Sequence, residues 1–206
     1  DGPDITTPMG AINGKAVKLD GPNAHGTING GTVQSFNVYR CTATSNIALN
    51  VSNGASIDTI SGGEFVSYQE SLEVFANSSI GTISGGTFKS LQHFTGGEQW
   101  FTINAYLENS SHIGTISGGT FVVEPLDDSE INATTPINAF VLMLGSSIDA
   151  ITGGTFHVPG QLPYSNPNLR AAFLVFRNPS ATESGFGQIR IGTISGGTFS
   201  GPIGLM

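Results

Sequence analysis

Short apolar runs alternate with short polar turns along the whole chain, and one run returns six times in nearly the same form. The segments His25–Val33, Ile57–Phe65, Ile80–Phe88, Ile113–Phe121, Ile148–Phe156 and Ile191–Phe199 superpose without gaps on the pattern I-G-T-I-S-G-G-T-F. The third, fourth and sixth are identical over the nine residues. Upstream of each lies a second apolar run of strand length: Ala16–Leu19, Ile47–Val51, Leu72–Phe75, Ile103–Leu107, Ala139–Met143 and Ala172–Phe176. These runs are rich in β-branched and aromatic residues, as strands are. Fixed self-similarity at a few tens of residues marks a stacked architecture. The pattern therefore predicts an all-β chain: one parallel β-helix of about six rungs with three short strands per rung, expected to be right-handed. Residues 15–199 would form the solenoid, 1–14 an extended N-terminal segment and 200–206 a C-terminal tail.

The chemistry of the motif fits stacking. Residues aligned on successive rungs sit about 4.8 Å apart. Ile28, Ile60, Ile83, Ile116, Ile151 and Ile194 would form one interior column, and Phe65, Phe88, Phe121, Phe156 and Phe199 another. The Gly-Gly pair suits a sharp corner, where dihedrals closed to other residues are needed. Thr82, Thr115 and Thr193 would form one threonine ladder, and Thr87, Thr120 and Thr198 another. The two isoleucines of each motif are three residues apart and would face opposite sides of a straight strand. A bend at the intervening Gly or Asp is expected.

The steps between central isoleucines are 32, 23, 33, 35 and 43 residues. A bare rung then takes 23 residues, and the longer rungs carry insertions. Most follow the motif's Phe, namely Gln34–Asn46, Lys89–Trp100, Val122–Asn138 and His157–Arg170, so they crowd one corner. Asn178–Arg190 interrupts a different turn. Insertions on one face of a repeat protein are often its binding face.

Candidate chemistry concentrates there. His93, Glu98 and Trp100 share one insertion, and Tyr164 lies in another with His157 and Arg170. Aromatic faces beside amides and carboxylates hold sugars, so these residues are a candidate glycan face. Trp100 capping the core is the competing reading. Asp127, Asp128 and Glu130 could bind calcium through clustered oxygens, or form a solvated acidic loop. Otherwise no cofactor is expected. Acceptor sequons begin at Asn50, Asn77, Asn109 and Asn132 and matter only in a host that glycosylates them. Cys41 is the one cysteine, so an internal disulfide is excluded. It is either a small buried strand residue or an intermolecular bridge.

Charge narrows the classes further. The net charge is −8, with 7 scattered basic residues, so no basic stripe exists to neutralise phosphates. Nucleic acid is excluded as a partner. No stretch approaches the roughly 20 apolar residues of a membrane-spanning helix. A charged fraction of 11% suits a secreted or cell-surface β-solenoid. The chain opens at Asp1, as expected of a mature product whose leader has been removed.

The six motifs and three-strand rungs resemble the pectin-lyase-like right-handed β-helices, and tandem S-G-G-T-F is similar to repeats in large microbial surface proteins. The first resemblance implies polysaccharide lyases or glycoside hydrolases. Lyases of this type pair calcium-binding Asp residues with an Arg or Lys base. The hydrolases carry Asn-Thr-Asp, Asp-Asp, Gly-His-Gly and Arg-Ile-Lys elements. Here Asp127-Asp128 is the only adjacent acidic pair, and the other elements are missing, so no catalytic residue carries over. A Gly-x-Ser-x-Gly elbow and His-Glu-x-x-His are also missing. The chain is expected not to be an enzyme. His25 and His112 belong to the repeat or its turn, which favours a structural role.

The final motif is perfect, and an uncapped last rung would expose apolar side chains and backbone groups. Two expectations follow. The leading one is a structural subunit of an extracellular filament or surface adhesin that self-associates end to end. The other is one piece of a longer repeat protein with the same stiff extracellular architecture. A carbohydrate-binding or polysaccharide-cleaving β-helix is the alternative, with glycans as partners. An ice-binding solenoid is third, since each threonine ladder is one residue wide and is broken by Glu64 or Ala150.

Overall fold

The computed structural model describes residues 9–10, 15–36, 46–91, 102–124, 137–159, 170–176 and 187–205. They carry twenty strands and no helix. A two-residue strand, β1 (Met9–Gly10), comes first. Six rungs of three strands follow. Rung 1 is β2 (Lys15–Asp20), β3 (His25–Ile28) and β4 (Thr32–Ser35), and rung 2 is β5 (Ile47–Ser52), β6 (Ser56–Ile60) and β7 (Glu64–Ser67). Rung 3 is β8 (Glu70–Phe75), β9 (Ser79–Ile83) and β10 (Thr87–Ser90), and rung 4 is β11 (Thr102–Leu107), β12 (His112–Ile116) and β13 (Thr120–Val123). Rung 5 is β14 (Ile137–Met143), β15 (Ser147–Ile151) and β16 (Thr155–His157), and rung 6 is β17 (Arg170–Phe176), β18 (Arg190–Ile194) and β19 (Thr198–Ser200). A final strand, β20 (Ile203–Leu205), lies in the expected tail.

Every pairing is parallel and joins equivalent strands of neighbouring rungs, so the chain is a parallel β-helix. Sheet A runs β1-β4-β7-β10-β13-β16-β19, sheet B runs β2-β5-β8-β11-β14-β17-β20, and sheet C holds β3-β6-β9-β12-β15-β18. The register keeps like over like: Phe88 pairs with Phe65 and Phe121, and Ile116 with Ile83 and Ile151.

Identical side chains at one height per rung fill the interior by stacking. Phe65, Phe88, Phe121, Phe156 and Phe199 form one pile, with ring centroids 4.7–4.9 Å apart and interplanar angles of 3–8°. Phe140 and Phe173 form a second pile at 5.0 Å, meeting the first edge-on. The isoleucine column is buried from Ile28 to Ile151. Ile194 departs from the expected core list because it sits on the last rung, where it is 40% exposed. A polar seam ties sheet B to sheet A inside the corner between them. Asn104 Nδ2 donates to the Phe88 carbonyl at 2.8 Å, and Ser71 Oγ donates to Asn104 Oδ1 at 2.6 Å.

The bend expected between the two isoleucines is present. In β6 both Ile57 and Ile60 are buried while Asp58 is exposed. Pairing with β9 occurs at Ile57, Thr59 and Ile60 and skips Asp58.

The two glycines of each Ser-Gly-Gly corner are needed for different reasons. The second takes a positive φ, from 90° at Gly119 to 104° at Gly63, which L side chains rarely adopt. The first has room for no side chain: a Cβ on Gly85, Gly118 or Gly153 would lie 2.2 Å from the carbonyl oxygen of the preceding rung's corner serine. Gly30, in the first motif, has nothing within 4 Å. The turn from sheet B to sheet C stacks pairs of left-handed residues: Asn53-Gly54, Ala76-Asn77, Asn109-Ser110 and Leu144-Gly145. These corners bond to one another through Asn77 N to Asn109 O at 2.9 Å and Ser110 N to Leu144 O at 3.0 Å.

The insertions begin a residue or two later than expected, because the strands of sheet A run on past the Phe to a second inward position. Ser67, Ser90, Val123 and Val158 are all buried there. Four long connections leave the end of sheet A and return at the start of sheet B, at one corner as expected, and the fifth joins β17 to residue 187.

Candidate functional site

The candidate glycan residues His93, Glu98, Trp100 and Tyr164 lie outside the described residues. So do the calcium candidates Asp127, Asp128 and Glu130, the sequon at Asn132, and Cys41. Among the described residues no three His, Cys, Asp or Glu side chains converge to hold a metal ion. His157 belongs to strand β16, with Nδ1 2.9 Å from Ser200 Oγ on the next rung, and Arg170 begins β17.

The sequons differ in access. Asn50 is 1% exposed, and its amide nitrogen donates to Glu73 while Ser52 Oγ donates to its Oδ1 at 3.1 Å. The folded chain has no room for a glycan on Asn50. Asn77 is exposed at the tip of its turn, and Asn109 is half-buried.

Two polar constellations emerge that sequence reasoning did not single out. The first runs along the outward side of sheet B. In-register pairing puts Lys18, Asn50, Glu73 and Tyr106 in one row. Beside it, Asp20 accepts bonds from Lys18 Nζ at 2.7 Å, Ser52 Oγ at 2.8 Å and Asn53 Nδ2 at 2.7 Å. Those bonds, Lys18's first, hold the Asp20 carboxyl down at about 2. Glu108 follows β11 directly and precedes the left-handed turn at Asn109-Ser110. Burial, with the negative charge of Glu73 adding to it, pushes its carboxyl up to about 7. A carboxyl poised there changes charge near neutral pH. Aligning the rungs on Leu72 and Ala105 would have revealed the row, since Glu73 then falls beside Tyr106.

The second constellation occurs twice on sheet C. His25 has Nδ1 3.0 Å from Ser56 Oγ and Nε2 3.0 Å from Asp58 Oδ2. His112 has Nδ1 3.0 Å from Ser147 Oγ and Nε2 3.3 Å from Asp149 Oδ2. In both, a histidine on one rung is gripped by a Ser-Ile-Asp triplet on the next. The connectivity is that of an Asp-His-Ser relay. The histidines and aspartates are 40–71% exposed, where water competes for each bond. The arrangement is a clamp between rungs. Its signal is legible in the sequence: Ser56-Ile57-Asp58 and Ser147-Ile148-Asp149 each follow a motif histidine by one rung.

The threonines form the expected ladders. One runs Thr59-Thr82-Thr115-Ala150-Thr193 on sheet C, and the other runs Thr32-Glu64-Thr87-Thr120-Thr155-Thr198 on sheet A. They occupy different sheets, each one residue wide.

The two ends of the solenoid hold the remaining candidate surface. Leu142, Ile151 and Phe173 are fully buried, yet their partners one layer on, Val175, Ile194 and Leu205, are 38%, 40% and 49% exposed. At the opposite end a cavity of about 420 Å³ lies against β2, the turn after it and β3. Its lining includes both inward residues (Leu19, Ile28) and outward ones (Lys18, Thr27), as expected of a space that runs along a strand edge. Comparison with protein-family models, with curated proteins and with solved structures gives no match to this chain.

Proposed function

We propose that this chain is a non-enzymatic structural protein of the cell exterior, a subunit of a filament or surface adhesin that self-associates end to end along the β-helix axis. The observation that carries the reading is the stacking of like on like along the axis, with Phe65, Phe88, Phe121, Phe156 and Phe199 piled at 4.7–4.9 Å and all three sheets paired from rung to rung. An apolar column left open at a free strand edge is a template for another strand. The parallel ladders continue in one direction, so a contact of this kind does not close and yields a fibre. The two sheet C histidines, His25 and His112, join neighbouring rungs as clamps, which fits a stiff rod better than a reaction centre. Negative-stain microscopy of the concentrated protein should show filaments of uniform width. Monomers alone at high concentration would sink the reading.

A second reading, a glycan-binding or glycan-cleaving β-helix, draws support from Glu73 and Glu108. They are two carboxylates on adjacent rungs, one of them titrating at about 7. Such a pair is the chemistry of glycoside hydrolysis. A glycan array with Trp100→Ala and Glu108→Gln as controls tests it, and equal binding by all three proteins, or none, removes it.

A further inference from the structure

Rungs 1 to 3 place a lysine, an asparagine and a glutamate side by side on the outward side of sheet B. The register sets Lys18 beside Asn50, and Asn50 beside Glu73. The row continues through Tyr106, Val141 and Leu174, which carry no comparable chemistry. Neighbouring strands lie about 4.8 Å apart, so a lysine side chain spans easily to the residue it is paired with.

Asn50 is 1% exposed, and both ends of its amide are engaged. Nδ2 donates to Glu73 Oε2, and Oδ1 lies 3.1 Å from Ser52 Oγ. Ser52 Oγ in turn lies 2.8 Å from Asp20 Oδ1, and Asp20 Oδ2 holds Lys18 Nζ at 2.7 Å. One polar chain therefore runs from the lysine amine to the asparagine amide. Lys18 and Glu73 flank that amide from opposite sides, because β5 lies between β2 and β8. The arrangement contains a nucleophile, a buried carboxamide, a hydroxyl at the carbonyl oxygen and a carboxylate at the nitrogen that would leave.

We propose that Lys18 and Asn50 join in an isopeptide bond that ties rung 1 covalently to rung 2, with Glu73 as the catalytic acid–base group. Lys18 Nζ gives up one proton to water and adds to Asn50 Cγ. The negative charge that develops on Oδ1 is met by the Ser52 hydroxyl. Collapse keeps the new Nζ–Cγ bond and breaks Cγ–Nδ2. Glu73 delivers to Nδ2 the proton that Nζ loses in becoming an amide. Ammonia leaves and takes up a proton from water. One ammonium is consumed and one is produced, nothing is oxidised or reduced, and no added reagent is needed. Glu108, its carboxyl pushed up to about 7 by burial and by the charge of Glu73, keeps a second proton-carrying group near Glu73 at neutral pH. The bond is independent of how the chain assembles.

Intact-mass spectrometry of the full chain tests the bond after incubation at neutral pH and at a pH of about 9, where more of the lysine is neutral. The parent should become lighter than its sequence by one ammonia, and faster at the higher pH. Trypsin should then fail to cut after Lys18, and a branched peptide should join the segment that starts at Ala16 to the segment that starts at Cys41. Lys18→Arg keeps the charge beside Asp20, lacks the amine nucleophile and should hold its full mass. Glu73→Gln keeps a partner for the Asn50 amide but cannot carry the proton, so it should form the bond at least about a hundredfold more slowly. A parent that keeps its full mass at both pH values while folded overturns the proposal. So does loss of ammonia in Lys18→Arg, or a parent heavier by the exchange of the Asn50 amide for a carboxyl, since water would then be the nucleophile. Bond formation at the parent rate in Glu73→Gln overturns the role of Glu73.

Discussion

If the first glycine of each Ser-Gly-Gly corner is required because rungs touch there, the requirement should disappear where no rung lies beneath. The chain contains its own control. A Cβ on Gly118 would lie 2.2 Å from the Ser84 oxygen, one on Gly62 would lie 2.7 Å from the Asn29 oxygen, and one on Gly30 would meet nothing within 4 Å. None of the three needs a left-handed φ. Relieving the contact at Gly118 requires rungs 3 and 4 to part locally by about 1 Å. The bonds beside it run from Ser117 N to Ile83 O at 2.9 Å and from Thr120 N to Gly86 O at 2.9 Å. An extra ångström takes both beyond useful hydrogen-bond length. Each is worth about 0.5–1.5 kcal/mol net, with a further cost of about 1 kcal/mol or more if a donor is stranded. Gly118→Ala should therefore cost about 3 kcal/mol, or about 6–12 °C in midpoint for a chain of this size. Gly62→Ala should fall between. Gly30→Ala should lie within about 0.5 kcal/mol of the parent, on the stabilising side because alanine narrows the unfolded ensemble. Thermal and guanidinium unfolding followed by circular dichroism measures all three. Equal losses at Gly30 and Gly118 would refute the reasoning, since the glycine would then be needed for its own backbone rather than for its neighbour.

Other consequences are equally direct. Phe121→Ala, which removes the ring stacked between Phe88 and Phe156, should cost roughly 3–5 kcal/mol in the same unfolding assay. Ala76→Gly should raise stability by about 0.5–1 kcal/mol, because Ala76 sits at φ 54° where glycine carries no steric penalty. A drop in its midpoint would show that the turn is not strained. The raised carboxyl of Glu108 favours the folded state while it is protonated. Its contribution is complete below about 4.5 and is lost as pH rises through about 7. The midpoint should decline between pH 5 and 8 in the parent and stay flatter in Glu108→Gln, as read by a pH series of melts. Asp20 acts in the opposite sense in a separate window: its depressed carboxyl stabilises above 3.8, and that stabilisation is lost as pH falls toward about 2. Asp20→Asn should remove that acid limb.

How far the sequence could be read follows from what each feature depends on. The rungs, the two core columns and the apolar strands of sheet B were legible because each depends on one class of residue recurring at one place. The bend between Ile57 and Ile60 was legible for the same reason, since two inward isoleucines three apart cannot share a straight strand. Features that depend on pairs of rungs were harder. Asn50 reads as an acceptor sequon in isolation and becomes a buried partner of Glu73 only when rungs 2 and 3 are superposed. Glu108 is unremarkable until the fold buries it and sets the charge of Glu73 on the neighbouring rung. The strands β1 and β20 were hidden because two or three residues without the motif carry no periodic signal.

The same property bears on function. In a globular domain the core closes on itself and its boundary differs chemically from its interior. Here the interior is a set of columns of apolar side chains repeated along an axis, two of them built almost wholly of isoleucine and phenylalanine. Ile194 and Leu205 are exposed because of where they sit and not because of what they are. Any further layer of the same pattern would bury them. The repeat that makes the fold legible thus also specifies its neighbour. Polar clamps such as His112 on Ser147 and Asp149 set the register between rungs, while the stacked phenylalanines supply the cohesion. A chain that spends its most regular chemistry on identical interfaces, and places its variable segments at one corner, is built to extend along the axis and to present its differences sideways.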